Sequence, residues 1–312
     1  MFWHHEISPN NEPRRVTLIK GEWVDHARAG RVVPYKLYIP DELPHDGPRP
    51  LILWSHGLGG TRDGAGFISR FVASYGYVIV HLQHVGTDSV LWEGMSGHPW
   101  ENIRKATISR KTVLGRYRDV PFALDQIRSL VASGTIPHAD LTRMGMSGHS
   151  FGALTTQIMA GQRIQRRRGG RHYDLYQPDF RAGILYSPVP GRHDPADPGF
   201  VYGGIRIPLL HLTGTDDESP LEGFGYRRRL NVFDHAGHKE HQHLVILKDG
   251  DHMVFNGSRG GLGENPKRAR HEDIIKILSL AWWEWHLKQN RAAQDWITGP
   301  EVQAFLGDDR VI

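Results

Sequence analysis

Hydrophobic residues in this chain gather in short unbroken runs, which differ from the alternating pattern of a strand with one exposed face. Runs of this kind stand at Leu51–Ser55, Tyr77–Leu82, Gly183–Tyr186, Leu209–Leu212 and Leu244–Leu247. They are typical of strands buried on both faces, as in a parallel sheet. Asp140–Met146 is predicted to be a further strand that runs into a sharp turn.

The segments between these runs predict helices. They cover Ala65–Ser74, Ile103–Ala132, Leu154–Ile164 and Ile274–Leu287, the last two by apolar positions three and four residues apart. An interruption is expected at Pro121, and Asn290–Ile312 is expected to be a final packed segment. Strand and helix therefore alternate through most of the chain, which predicts an α/β fold with a twisted, mostly parallel sheet flanked by helices.

The N-terminal region follows a different pattern. Arg15–Trp23 and Arg31–Ile39 are strand-like runs around a short polar turn, and they predict an antiparallel hairpin at the edge of the sheet. No internal repeat and no long linker divides the sequence, so a single domain over residues 1–312 is expected. The excursion at about residues 86–112 is a candidate cap or lid.

The amino-acid composition excludes several kinds of bond, metal site and nucleophile. The chain of 312 residues has a formal net charge of +4 and no cysteine, so disulfides, thiolate metal sites and cysteine nucleophiles are excluded. Its densest basic run has no interleaved aromatic residues and is interpreted as a solvated surface loop, with steering of anionic substrates as the alternative. That run comprises Arg163, Arg166, Arg167, Arg168 and Arg171. Nucleic-acid binding is not expected.

The sequence predicts no integral membrane segment, because no apolar stretch reaches the roughly 18 residues of a membrane span. The N-terminus lacks the apolar core of a signal peptide. A cytoplasmic location is therefore expected, or a secreted one if a leader has been removed.

The strongest chemical signal is the pentapeptide Gly148–Gly152, which reads Gly-His-Ser-Phe-Gly between a predicted strand and a predicted helix. A G-x-S-x-G turn presents its serine on a sharp, strained bend, and small flanking residues let the neighbouring chains pass. The helix that follows directs its N-terminus at the serine, where backbone N–H groups favour negative charge. Ser150 is thus the predicted nucleophile.

A serine nucleophile needs a base, and a histidine base needs an acid. Among 20 histidines, His252 is preferred because it follows the last predicted strand. Asp216 and Asp217 both follow the strand before it, and Asp217 is favoured as the acid. The order Ser, Asp, His is that of α/β-hydrolases. The cluster His235, His238, His241 and His243 precedes the last strand and is interpreted as a polar loop, with no metal site expected.

Acyl transfer also requires donors for an oxyanion. The backbone N–H of Phe151 is one candidate, and that of Leu58, in the glycine-rich segment after the first buried strand, is the other. Candidate substrate-binding residues lie in the excursion or near strand ends. They are Trp92, Trp100 and His149, with Met95, Gln83 and His84 as further positions of interest.

Four segments together resemble a known family. Trp54–Gly60, Gly76–Val80, Gly148–Gly152 and the tryptophan-rich C-terminal helix are similar to those of bacterial dienelactone-hydrolase-like proteins. These are related to platelet-activating-factor acetylhydrolase and to polyester-degrading cutinases, and the resemblance runs from about Val16 to Leu306. It implies a metal-independent carboxylic ester hydrolase with a Ser-His-Asp triad. True dienelactone hydrolases use cysteine where this chain has serine, which favours a general esterase.

The sequence therefore predicts a serine esterase that acts through an acyl-enzyme on a small-molecule or polymeric ester, without a cofactor. An amidase or peptidase activity is the first alternative, since the same triad serves both bonds. A non-catalytic ligand-binding member of the fold is the second. A dinucleotide-dependent oxidoreductase is disfavoured because no G-x-G-x-x-G is followed by a suitably spaced acid. The oligomeric state stays open.

Overall fold

The eight strands of the described chain form one sheet. They are β1 Val16–Asp25, β2 Arg31–Pro40, β3 Arg49–Ser55, β4 Val78–Leu82, β5 Ala139–His149, β6 Phe180–Tyr186, β7 Leu209–Asp216 and β8 Gln242–Asp251. Their order across the sheet is β1-β2-β4-β3-β5-β6-β7-β8. The strands from β4 to β8 run parallel, and β2 lies antiparallel to both β1 and β4. This confirms the predicted α/β class and mostly parallel sheet.

The structure is a computed structural model that describes residues 2–43, 47–136, 138–164, 172–190, 195, 197–257 and 265–311. The helices described are α1 Gly66–Ser74, α2 Pro99–Lys105, α3 Arg110–Ala132, α4 Phe151–Met159, α5 Pro198–Tyr202, α6 Tyr226–His235, α7 Arg268–Lys288, α8 Arg291–Thr298 and α9 Pro300–Leu306. Single turns of 3₁₀-helix stand at His26–Arg28, Ser89–Leu91, Lys239–His241 and Gly307–Asp309.

The predicted N-terminal hairpin is confirmed. β1 and β2 pair along their whole length, from Val16 opposite Pro40 to Asp25 opposite Arg31. The turn between them closes with Asp25 accepting a hydrogen bond from the Arg28 backbone N–H.

Successive side chains of the central strands enter two different cores, because side chains alternate across a strand. On β3, Leu51 and Leu53 pack towards α3 and α4, whereas Ile52 and Trp54 pack towards α1 and α7. Helix α7 approaches β5 so closely that a Cβ on Gly145 would lie 2.5 Å from the Trp283 ring. Both faces of the sheet are thus covered, as the unbroken apolar runs predicted.

Three sequence-based expectations about helices are wrong in detail. The segment predicted as one helix over 103–132 divides at 106–109, where Ser109 Oγ caps the backbone N–H of Thr112. Pro121 lies inside α3 without ending it. Burial of Val120 and Leu124 on either side outweighs the local cost of proline, about 3 kcal/mol.

The helix predicted over 154–164 begins earlier and ends earlier, at Phe151 and Met159. It begins directly after Ser150, which occupies the N-cap position without a side-chain capping bond, and Gly161 at φ +116° follows its end.

Of the arginine-rich run, Arg163 donates a hydrogen bond to the Phe200 carbonyl. The other members, between 166 and 171, lie outside the described residues. Within the described ranges, no helix combines the length and the hydropathy that a bilayer crossing requires.

Candidate active site

The turn that carries Ser150 is strained and tightly enclosed. Ser150 joins β5 directly to α4 at φ 54° and ψ −117°, a backbone conformation that side-chain-bearing residues rarely adopt. Its N–H donates to the Tyr186 carbonyl at 2.9 Å. A Cβ on Gly152 would lie 1.8 Å from the Ser55 carbonyl oxygen, and one on Gly148 would lie 2.4 Å from Gly152. Only glycine therefore fits on either side of this turn.

A carboxylate and an imidazole form a buried pair beyond the ends of β7 and β8. The Nδ1 atom of His252 lies 2.7 Å from Asp217 Oδ1, and because the carboxylate accepts, Nδ1 carries the proton. The Thr213 hydroxyl donates to Asp217 Oδ2 at 2.8 Å. Asp217 has no exposed surface and His252 is 3% exposed. The hydrogen bond on Nδ1 leaves Nε2 of His252 as the basic nitrogen.

Arg229 of α6 binds the same carboxylate. Its Nη2 lies 3.0 Å from Asp217 Oδ1 and 3.2 Å from His252 Nδ1, and its Nε donates to the Asp217 carbonyl. Its Nη1 donates to the Pro188 carbonyl at 3.0 Å. Burial alone would raise the pKa of Asp217, but the charges of Arg229 and His252 outweigh it and hold that pKa far below its ordinary value. Asp217 is therefore ionised at every pH relevant to the folded protein.

The neighbouring Asp216 is differently placed. It is exposed, and its carboxylate accepts a hydrogen bond from the Thr215 hydroxyl. Of the predicted histidine cluster, His235, His238 and His241 are exposed, whereas His243 lies within β8 and not before it. Across the described residues, no group of His, Cys, Asp or Glu has a geometry that could hold a metal ion.

Ser150 and His252 line the same cavity, whose volume is about 970 Å³. No hydrogen bond joins the Ser150 hydroxyl to the imidazole among the contacts of the described residues, and such bonds commonly tighten only when substrate binds. His149 connects the two segments, because its Nε2 donates to the His252 carbonyl at 2.9 Å. The serine turn and the histidine loop are thus fastened to each other.

His149, a predicted substrate-binding residue, has a second ring nitrogen that also lies near the site. Its Nδ1 has no hydrogen-bond partner in the described chain and faces Gly57. Burial, reinforced by the neighbouring His252, holds the pKa of His149 well below its ordinary value. The ring is therefore neutral, and Nδ1 is a bare acceptor.

The two candidate oxyanion donors lie on segments that meet at Ser150. Phe151 is the first residue of α4, so its N–H has no partner within the helix. The segment with Leu58 is a closed turn, in which the Gly60 N–H donates to the Gly57 carbonyl and the Gly59 N–H donates to the Thr87 carbonyl. These bonds use the N–H groups around Leu58, and its own N–H makes no bond within the described residues.

The excursion after β4 supplies much of the cavity wall. Trp92 and Trp100, which the sequence analysis named as candidate substrate-binding residues, both line the cavity. Trp92 Nε1 also donates to the Gly59 carbonyl at 2.7 Å. Met95 is not part of the wall and is 54% exposed. Further apolar lining comes from Ile103, Ile108, Val113, Leu154, Phe224 and Met253. The cavity wall is therefore predominantly apolar, although Asp63, Glu222 and Glu272 also line it.

The sequence did not lead us to predict two buried arginines at this site. Arg229 and Arg116 are 1% and 0% exposed. The signal that could have found Arg116 is its position on an apolar helical stripe with Val120, Ala123 and Ile127, where a charged residue must be buried. No comparable signal marks Arg229, whose helix is strongly polar.

Comparison with known proteins gives one informative match. A protein of Schizosaccharomyces pombe named "Putative phospholipase A2" is 24% identical over 184 residues. The match covers 46% of this chain and 41% of that protein, so this chain spans about two fifths of the length of its curated relative. No protein-family model matches the chain.

Proposed function

We propose that this protein is a serine hydrolase of the α/β-hydrolase superfamily that cleaves carboxylic esters with a sizeable apolar acyl group. The observation that carries the proposal is the buried Asp217–His252 pair, which opens on the same cavity as a serine on a strained strand-to-helix turn. The strand order and the N-terminal hairpin are compatible with that superfamily. So is the order of Ser150, Asp217 and His252 along the chain.

The chemistry follows from the contacts. Ser150 Oγ attacks the ester carbonyl while His252 Nε2 takes the hydroxyl proton. Asp217 keeps the proton on Nδ1 and stabilises the imidazolium that forms. The N–H groups of Phe151 and Leu58 donate to the oxyanion. The alcohol leaves with the proton from Nε2, and His252 then activates water, which releases the acid and restores Ser150.

Two observations support an ester with a large apolar group as the substrate: the size and lining of the cavity, and the name of the Schizosaccharomyces pombe relative. A volume of about 970 Å³ lies at the upper end of the range for small-molecule sites, and the wall around it is mostly aliphatic and aromatic. The name of the yeast relative denotes an enzyme that cleaves a lipid ester. We assign the acyl group to this cavity, with the segment of residues 86–112 acting as the wall of a single-domain enzyme.

Hydrolysis of p-nitrophenyl esters from acetate to palmitate tests the proposal. We expect kcat/KM to rise from acetate towards medium chains. Ser150→Ala should lower kcat by about four to six orders of magnitude while leaving the melting temperature nearly unchanged. If the Ser150→Ala protein hydrolysed esters as fast as the wild type, the proposal would be wrong. Cleavage of anilides at comparable rates would instead identify an amidase, and inertness towards all of these substrates would indicate a ligand-binding protein.

A further inference from the structure

Arg116 of α3 is bound on all sides by neutral acceptors. Its Nε donates to Thr155 Oγ1 at 2.8 Å, its Nη1 donates to Thr87 Oγ1 at 3.0 Å, and its Nη2 donates to Ser55 Oγ at 2.8 Å. Nη2 also donates to the carbonyl of His56. The side chain has no exposed surface. One guanidinium therefore connects the end of β3, helix α4 and the excursion after β4.

No carboxylate within the described chain forms an ion pair with Arg116. Asp119, one helical turn away, is already bound by Arg31 through both oxygens and by His84. Burial lowers the pKa of Arg116 to about 9, so it remains a cation at neutral pH. The charges of Asp119 and Asp88 act favourably on Arg116 from a distance, but a buried cation that no carboxylate contacts still costs folding free energy.

The contacts of Arg116 converge on the two segments that carry the proposed oxyanion donors. The His56 carbonyl lies two residues before Leu58. The guanidinium also lies over the Phe151 ring at 4.4 Å, and its partner Thr155 donates to the Phe151 carbonyl at 2.9 Å. Each segment is thereby held by the same side chain.

The same loop is braced further by histidines. The His84 backbone N–H donates to His56 Nε2 at 2.9 Å, and His56 Nδ1 donates to the Gly57 carbonyl at 2.6 Å. The Ser55 hydroxyl, which accepts from Arg116, in turn donates to His84 Nε2 at 2.9 Å. The loop before Leu58 is consequently fixed at both its backbone and its side chains.

From this geometry we infer that Arg116 is a positioning residue that sets the distance between the N–H groups of Leu58 and Phe151. This inference rests on the proposed function. Lysine in its place keeps the charge but loses the planar fork that reaches four acceptors. The donors would then be less well aligned for the transition state, whereas substrate binding in the apolar cavity would be unaffected.

The test measures ester hydrolysis and the rate at which a fluorophosphonate modifies Ser150, followed by mass spectrometry. For Arg116→Lys we expect kcat and the phosphonylation rate to fall together by about 30- to 100-fold, with KM nearly unchanged. The matched control is Arg49→Lys. Arg49 is also buried but lies at the other end of β3, where it donates to the Pro40 carbonyl. That variant should lower the melting temperature without changing either rate.

Single hydrogen-bond deletions keep the test decisive if Arg116→Lys does not fold. Thr155→Val removes one acceptor of Arg116 and should lower kcat by about threefold to tenfold at constant KM. Thr156→Val is its control, because Thr156 is equally buried and donates to the Gly152 carbonyl but does not contact Arg116. Equal kcat in the wild type and in Thr155→Val, or in the wild type and in folded Arg116→Lys, overturns the inference.

Fluorophosphonate modification of Ser150 distinguishes a failure of the proposed function from a failure of the inference about Arg116. If the fluorophosphonate does not modify Ser150 in the wild type, the proposed function fails, and the inference about Arg116 fails with it. If Ser150 is modified at the same rate in the wild type and in Arg116→Lys, only the inference about Arg116 fails.

Discussion

Arg229 and Arg116 approach the candidate site from opposite sides of β5 in the sheet order, and they differ in what they bind. Arg229 binds a carboxylate, Asp217, which itself holds His252. Among the described residues, Arg116 hydrogen-bonds to hydroxyl and carbonyl groups only. On the β7–β8 side a carboxylate contacts the arginine directly, whereas on the β3 side Asp119 and Asp88 act on Arg116 without bonding to it. This difference fits the roles proposed above, in which one side orients a base and the other positions the oxyanion donors.

The largest effect should come from breaking the carboxylate–imidazole contact. Asp217→Asn replaces an acceptor with a group that can also donate to Nδ1, so the wrong tautomer of His252 is favoured. We expect kcat for ester hydrolysis to fall by about 10⁴-fold. Asp216→Asn is the matched control and should retain nearly full activity, because Asp216 is exposed and bound to Thr215. Loss of activity in Asp216→Asn but not in Asp217→Asn would reverse the assignment.

A smaller effect on rate is expected from removing the cation on the same side. Arg229→Gln takes away one of the donors to Asp217 and the donor to the Pro188 carbonyl. Breaking a buried ion pair in this way destabilises a protein by about 3–5 kcal/mol, so the melting temperature should drop clearly. Since His252 and Thr213 still hold the carboxylate, kcat should fall by only about tenfold.

The control for that variant lies on the same helix. Arg227 is exposed, so Arg227→Gln should change neither melting temperature nor kcat. The comparison of the two sides then becomes quantitative: stability should respond more strongly than rate at Arg229, and rate more strongly than stability at Arg116. Equal ratios at both positions would show that the two arginines have the same role.

Much of the fold could be predicted because its signals are local. The unbroken runs at β3, β4, β6, β7 and β8 marked doubly covered strands, and alternation with helical segments indicated the parallel order. The turn at Ser150 could be predicted because the two glycines that it requires sterically, Gly148 and Gly152, lie two residues from it in the sequence. The break between α2 and α3 was misplaced, since proline is a local signal and the burial around Pro121 is not.

The details of the site depend on contacts between distant segments. Asp216 and Asp217 could be ranked but not separated by sequence, because which of them reaches His252 depends on how the loop after β7 closes. Arg116 meets Ser55 across 61 positions of the chain, and Arg229 meets His252 across 23. The periodicity of hydrophobic residues does not predict contacts between segments so far apart in the chain. The glycine-flanked turn at Ser150 could thus be predicted from adjacent residues, whereas the contacts of Arg116 and Arg229 with distant segments could not.

The last prediction concerns the dependence of folding stability on acid pH, which changes gradually with each pH unit. Burial lowers the pKa of His84 and His211 to about 4, and it lowers that of His56 well below the ordinary value, with the charge of Arg116 adding to the shift at His56 and His84. Unfolding restores a pKa near 6.5, so the unfolded chain binds more protons below that pH. Stability is therefore complete above about pH 6.5 and falls as the pH drops towards 4, by about 1.4 kcal/mol per pH unit for each such histidine.

Urea unfolding between pH 7.5 and pH 4.5 measures this slope, and single substitutions locate its sources. His84→Gln and His211→Gln should each flatten the slope by about one proton, whereas His26→Gln should leave it unchanged because His26 is exposed. Only His84→Gln should also lower kcat, since His84 braces the loop before Leu58 through Ser55 and His56. A slope that His84→Gln does not alter would mean that this histidine binds its proton equally well in the folded and the unfolded protein.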